Sequence, residues 1–252
     1  MKIIIGIIML LSTGVFLSTC STSVNVEQES INVTETITFS AEDGLTVTAD
    51  LYKTENADAP YIILFHRAGW SRGEYRVIAP RLNENGFNCL AVDQRSGKKI
   101  RGVINQTAAE AKSHRYSRWY TDALPDLKAA FLYVKEELKA SKIILWGSSY
   151  SAAFVFIMGE EFSDDIKGIL SFSPGYPFKV AGKEIWEYAR NTKCPVFITA
   201  EKRIKNKAKT IYGSVPFSAD NIFLDVNTHG SSLLWTQTDA TWEQVISFLN
   251  NI

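Results

Sequence analysis

The stretch "ILWGSSYSAA", Ile144–Ala153, decides how the rest of the chain is read. It opens as the end of an apolar run, "KIILWG" (142–147), and passes into "YSAAFVFIMGE", whose small and apolar residues suit a buried helix. Gly147-Ser148-Ser149-Tyr150-Ser151 therefore spans a turn from strand to helix. A strand feeding straight into a helix is the repeating unit of an α/β sheet. In such sheets, sites form at the carboxyl ends of the strands.

The flanks repeat the pattern. "YIILF" (61–65), "FNCLAV" (87–92), "IKGILSF" (166–172), "PVFIT" (195–199) and "NIFLDV" (221–226) are short apolar runs without alternation. Strands covered on both faces read this way. Between them lie stretches with helical spacing. In "DALPDLKAAFLYVKEELKA" (122–140), Leu124, Leu127, Ala130, Phe131, Val134 and Leu138 share one face. "GEYRVIAPRLNENG" ends in Asn-Gly, a helix stop, and "TWEQVISFLNNI" closes the chain. Ahead of them, "TITFSAEDGLTVTADLY" alternates around Asp43-Gly44, a hairpin signal. The expected fold is α/β, a mostly parallel sheet of about eight strands with helices on both faces, entered through an antiparallel hairpin. Residues 97–121 follow neither period and read as a small lid or insert.

The first twenty residues carry a different message. "MKIIIGIIMLLSTGVFLSTC" has one early cation, Lys2, then an apolar run too short to read as a membrane span. It resembles a bacterial lipoprotein signal, in which cleavage precedes a cysteine that is then lipidated. The expected organisation is a signal at 1–19, a polar tether at 20–33 beginning with Cys20, and one folded domain at 34–252. Lipid on Cys20 would hold the protein to a membrane from outside the cytoplasm, in the bacterial cell envelope. With 27 basic and 27 acidic residues, no charge excess points to nucleic acid. Cys89 and Cys194 each adjoin an apolar run and read as buried thiols.

Three serines crowd the central turn. The pattern G-x-S-x-G at a strand-to-helix turn is the nucleophile elbow, and its small residues let the helix pack against the strand. Gly147 matches the first glycine and Ser151 stands for the second. Ser149 is then the nucleophile, and the Tyr150 N–H is one oxyanion donor. A hydroxyl needs a base. Of three histidines, only His229 follows the last apolar strand, and a serine preceding such a histidine is the α/β-hydrolase order. His66-Arg67-Ala68-Gly69 ends the "YIILF" strand, which makes the Arg67 N–H the second oxyanion donor. His66 suits a loop-fixing role beside the pocket. His114, Trp70 and Tyr176 are further candidates to line it, with Trp119 and Tyr120 as additional aromatic walls.

Taken together, "LFHRAGWSRGEY", "GFNCLAVDQRSG", "DLKAAFLYVK", "ILWGSSYSAA", "SFSPGY", "PVFITAEK" and "THGSSLLW" resemble the α/β-hydrolases over nearly all of 36–250. The likeness is to the compact dienelactone hydrolase-like and short-chain esterase or peptidase members. The resemblance implies an acid after the seventh strand to orient the histidine. By spacing, Arg203 occupies the usual aspartate position. Glu201 lies two residues earlier and is ranked first, Asp225 second, and a Ser–His pair without an acid third. Asp93 and Arg95 in "AVDQRSG" are expected to form an ion pair near the site.

The expected activity is ester cleavage on a small acyl substrate by a Ser-His-acid mechanism, with no metal or organic cofactor implied. The alternatives are a non-catalytic surface binding lipoprotein on the same fold, a serine peptidase, or an acyltransferase.

Overall fold

A computed structural model describes residues 35–175, 179–236 and 240–252. The signal segment, Cys20 and Tyr176 lie outside the described residues. The alternating N-terminal segment forms β1 (Glu35–Ser40) and β2 (Thr46–Tyr52), paired antiparallel with Ser40 opposite Thr46. Gly44 closes the turn at φ 84°, a conformation that glycine adopts without a Cβ penalty. β3 (Tyr61–Phe65) leads through a 3₁₀ turn, Arg72–Tyr75, into α1 (Ile78–Glu84). The Asn-Gly stop ends α1, with Gly86 at φ 88°.

β4 (Asn88–Val92) follows, then a small hairpin of Lys99–Ile100 against Val103–Ile104. Asn105 caps α2 (Gln106–Ser113) by accepting from the Ala108 N–H at 2.7 Å. Residues 97–121 therefore hold a hairpin and a helix, and Thr107 Oγ1 ties α2 to β2 through the Thr48 N–H.

α3 (Leu124–Leu132) is shorter than its spacing predicts. Tyr133–Glu137 widens into a π turn, with the Leu138 N–H reaching back to the Tyr133 carbonyl. Lys139 then leaves the helix at φ 54°. The predicted apolar face still packs inward, because Leu127, Ala130, Phe131 and Val134 are all fully buried. β5 (Ile143–Ser148), α4 (Tyr150–Glu161), β6 (Ile166–Phe172), α5 (Ile185–Ala189), β7 (Val196–Ala200), α6 (Lys205–Ser214), β8 (Ile222–Asp225) and α7 (Thr241–Asn251) complete the order.

The eight strands lie in the order β1-β2-β4-β3-β5-β6-β7-β8. β1, β2 and β4 pair antiparallel in succession, and every neighbour from β4 through β8 is parallel. This is the architecture expected from the sequence. It also explains the unbroken apolar runs. On β3, Ile63 and Phe65 join one apolar core with α3 and α4, while Ile62 and Leu64 join another with α1 and α7. Both faces are dry, so neither set is polar.

The expected Asp93–Arg95 pair does not form. Asp93 accepts from Arg72 Nη1 at 2.6 Å, and Arg95 Nη2 reaches Asp126 at 2.7 Å. Burial pushes the Asp93 carboxyl up to about 6 despite the pull of Arg72. Arg72 also holds Asp50 at 2.8 Å, which pins the 3₁₀ turn against the sheet. Cys89 and Cys194 are free thiols rather than a disulfide.

Candidate active site

β5 ends at Ser148 and α4 starts at Tyr150, leaving Ser149 alone at φ 61°, ψ −115°. A non-glycine residue there is strained and needs its neighbours to hold it. The Ser149 N–H donates to the Phe172 carbonyl at 2.9 Å, and the Ser149 carbonyl accepts from Ala152 and Gly175, both at 3.0 Å. Gly147 permits the turn. A Cβ there would stand 2.3 Å from the Ser151 carbonyl oxygen and 2.6 Å from the Ala152 nitrogen, backbone atoms that cannot move aside. Ser151, in a glycine's place, is fully buried and turns its hydroxyl to use. It donates to the His66 carbonyl at 2.7 Å and accepts from Gln94 Nε2 at 2.6 Å.

His229 sits in the loop between β8 and the 3₁₀ turn Ser231–Trp235. Its Nε2 lies 2.8 Å from Ser149 Oγ and its Nδ1 lies 2.8 Å from Glu201 Oε1. Nδ1 facing a carboxylate carries the proton, which leaves Nε2 free to accept from the serine hydroxyl. Burial pushes the Glu201 carboxyl up, but its own backbone amide and the His229 ring outweigh that and hold it below its usual range. The Ser173 hydroxyl adds to the same effect. Ser173 is itself buried at φ 57° and accepts the Gly230 N–H at 3.1 Å. Gly230 is needed where it stands, because a Cβ would come within 2.5 Å of Ser148 Oγ. The histidine loop is thus pressed flush against the elbow.

The second-ranked acid lies elsewhere. Asp225 ends β8 on the surface, where it accepts from Lys205 Nζ at 2.6 Å. Arg203, in the usual aspartate position, is an exposed cation 3.9 Å from Glu201.

The oxyanion side needs a correction. The Tyr150 N–H opens the first turn of α4, where helix amides have no intrahelical acceptor. The Arg67 N–H, the other expected donor, is spent on Glu74 Oε2 at 2.8 Å. The next amide, that of Ala68, has no acceptor among the described residues. Ala68 therefore replaces Arg67 as the available donor on this loop. Gly175 keeps the space beside Ser149 clear, since a Cβ there would meet Ser149 Oγ at 3.2 Å and the Tyr150 nitrogen at 3.6 Å.

Two expected pocket residues do not line one. His66 is fully buried, with Nδ1–H donating to the Arg67 carbonyl at 2.8 Å and Nε2 accepting the Gln94 N–H at 3.0 Å. Burial depresses it to about 4. Protonation would aim a second N–H at the Gln94 donor. The folded protein then binds this proton only near pH 4, whereas the unfolded chain binds it from about pH 6.5. Stability from His66 is present above pH 6.5 and lost as pH falls to 4, by about 3 kcal/mol. Its ring proton resonances are expected to stay those of neutral imidazole down to about pH 4. A midpoint near 6.5 would contradict this fixed role.

His114 is an exposed residue at the end of α2, 3.2 Å from Glu110. Trp70 stacks on Trp235 at 5.1 Å, and the Arg67 guanidinium lies 4.5 Å from the centre of the Trp70 ring. A cleft of about 510 Å³ opens beside the oxyanion loop, between Gly69, Lys98, Tyr116, Arg118 and Trp119. Tyr120 packs on the Tyr150 ring at 5.5 Å, so this segment borders the elbow.

No sequence pattern singles out Glu74, Ser173 or the Ser148 hydroxyl. Glu74 and Ser173 lie outside any spaced pattern and Ser148 fills an unspecified position of the elbow, so only the folded chain shows what each touches.

Residues 57–209, more than half of the chain, match the family described as serine aminopeptidase, S33. No curated protein matches the chain. Among solved structures, an esterase of Pyrococcus furiosus is similar at 17% identity and a TM-score of 0.65, over 86% of this chain and 91% of that one. A dienelactone hydrolase of Anabaena variabilis is similar at 12% identity and a TM-score of 0.64, over 86% and 94%. Est1E of Butyrivibrio proteoclasticus, solved with ferulic acid bound, is similar at 15% identity and a TM-score of 0.64, over 85% and 99%. These likenesses establish a shared fold.

Proposed function

Because the chain belongs to the serine aminopeptidase S33 family, we propose that it is a serine hydrolase that cleaves a carboxylic ester of a small acyl substrate. One observation carries the reading: a strained elbow serine, a histidine and a carboxylate in continuous hydrogen-bond contact, 2.8 Å at each link. Ser149 Oγ attacks the acyl carbon as its proton passes to His229 Nε2. Glu201 stabilises the imidazolium that forms. The negative charge on the former carbonyl oxygen is met by the N–H groups of Tyr150 and Ala68. Collapse breaks the bond to the leaving alcohol, which takes the proton from His229. Water then attacks the acyl-enzyme by the same route, releasing the carboxylic acid and restoring Ser149. The cleft between Gly69 and Trp119 is the proposed seat of the substrate.

The family description favours a second reading, in which the same residues cleave a peptide bond. A panel of p-nitrophenyl esters against aminoacyl p-nitroanilides separates the two. Turnover of esters only supports the first reading. Preferential cleavage of the anilides replaces it with the second.

The proposal extends to location: a lipid on Cys20 anchors the protein outside the cytoplasm. A Cys20→Ala variant expressed in a bacterial host is then expected to move from the membrane fraction to the soluble one. An unchanged distribution would contradict the anchor.

A further inference from the structure

Glu74 is a buried carboxylate that the proposed chemistry does not use. It lies in the 3₁₀ turn between β3 and α1 and is fully buried. Three separate segments converge on it. Its Oε2 accepts the Arg67 N–H of the oxyanion loop at 2.8 Å. Its Oε1 accepts from Ser148 Oγ, the residue before the elbow serine, at 2.7 Å. Ser148 Oγ in turn accepts the Ser231 N–H of the histidine loop at 3.0 Å, and Trp235 Nε1 of that loop donates to the Glu74 carbonyl at 2.9 Å. A carboxylate with no access to water is retained at a cost, so its contacts define where it matters.

We propose that Glu74 is a positioning residue that registers the oxyanion loop against the elbow and the histidine loop, and thereby presents the Ala68 amide to the reacting carbonyl. By taking the Arg67 N–H inward, Glu74 fixes the His66–Arg67 peptide unit, and the next unit, which carries the Ala68 N–H, is held through its Arg67 carbonyl by His66 Nδ1 and the Trp70 N–H. Through Ser148 it holds the elbow and the first amide after Gly230 in one hydrogen-bonded chain. The inference rests on the proposed hydrolase reading, because it assigns the oxyanion donor of that reaction.

The surroundings set how Glu74 titrates. On its own turn, Arg72 is committed to Asp50 and Asp93, and the Tyr75 hydroxyl donates to the Phe65 carbonyl. On the oxyanion loop, His66 is neutral and Arg67 supplies the nearby cation. Tyr150 lies beyond the elbow, and His229 on its own loop is engaged with Ser149 and Glu201. Burial pushes Glu74 up to about 7, against the pull of the Arg67 amide and the Ser148 hydroxyl. Ionised Glu74 binds both donors more strongly than the acid does, so the register tightens as pH rises through neutrality.

Glu74→Ala removes the hub and is expected to lower kcat about 100-fold, the scale of one lost oxyanion donor, with KM within about threefold. Glu74→Gln keeps an acceptor for Arg67 and a donor for Ser148, and is expected to restore kcat to within about tenfold. The rising limb of kcat against pH then needs two ionisations in the native protein and one in Glu74→Gln. Native-like kcat in Glu74→Ala, or a two-group limb that persists in Glu74→Gln, would overturn the proposal. The Gln profile decides the matter if the Ala variant does not fold.

A second measurement does not depend on turnover. In the Ser149→Ala background, the amide resonances of Arg67 and Ser231 are expected to titrate together near pH 7, and to stop doing so when Glu74→Gln is added. Amides that stay flat in the Ser149→Ala protein would overturn the proposal. If the native protein turns over neither esters nor anilides, the functional reading fails, and this titration still tests Glu74 alone.

Discussion

Replacing Ser149 by alanine is expected to lower kcat on esters by about 10⁶-fold, the scale seen when a serine nucleophile is removed. The change deletes one oxygen. Ser149 makes no side-chain cap bond to α4, and its hydroxyl contact is with His229 Nε2 at 2.8 Å. The bonds that hold the elbow use the Ser149 backbone and survive the substitution. Thermal stability is therefore expected to stay within a few degrees of the native protein, as for a change of under about 1 kcal/mol. Steady-state kinetics and a melting curve on the same preparation check both halves. Residual turnover above about 1% at unchanged stability would mean that another group attacks the substrate.

Glu201→Gln carries the second-largest expected effect, a loss in kcat of up to about 10⁴-fold. Glutamine is nearly isosteric, so the loop after β7 keeps its shape. The negative charge opposite His229 Nδ1 is lost, and with it the stabilisation of the imidazolium. An amide NH₂ turned toward Nδ1 would also favour the wrong tautomer and cost Ser149 its base. Asp225→Asn serves as the comparison. Asp225 pairs with Lys205 on the surface, so its loss is expected to leave kcat within about twofold. A collapse in Asp225→Asn beside a native-like Glu201→Gln would reverse the assignment.

The parallel core of the fold was legible because its strands are dry on both faces. "YIILF" and "IKGILSF" mark β3 and β6 residue for residue, since every position of the first is buried and only Lys167 of the second faces solvent. The helix over 122–140 was legible in kind but not in length. The residues Tyr133–Glu137 keep helical polarity while the hydrogen bonding widens beneath them, and periodicity does not record that change. At the site, Ser149, Tyr150 and His229 were readable because each sits at a fixed offset from a strand end. Glu201 was readable only as one of several ranked choices, because its extra methylene bridges a shift in register that spacing alone leaves open.

The Arg67 assignment failed for a physical reason. Which of two successive amides faces the site depends on an acceptor seven residues along the chain, Glu74, that no local pattern announces. Asp93 and Arg95 failed likewise. Neighbours in sequence, they point to different partners across the sheet, Arg72 and Asp126. The polar residues that lock the site, Ser148, Ser151 and Ser173, are small and take their meaning from what lies across from them.

The central claim is that Ser149 is an activated nucleophile with His229 and Glu201 behind it. Incubation with a fluorophosphonate followed by intact-mass and peptide mass spectrometry tests this most directly. One adduct per chain, located on Ser149, absent in Ser149→Ala and formed far more slowly in Glu201→Gln, is the predicted result. A folded native protein that takes no label, or takes it on a residue other than Ser149, would contradict the account.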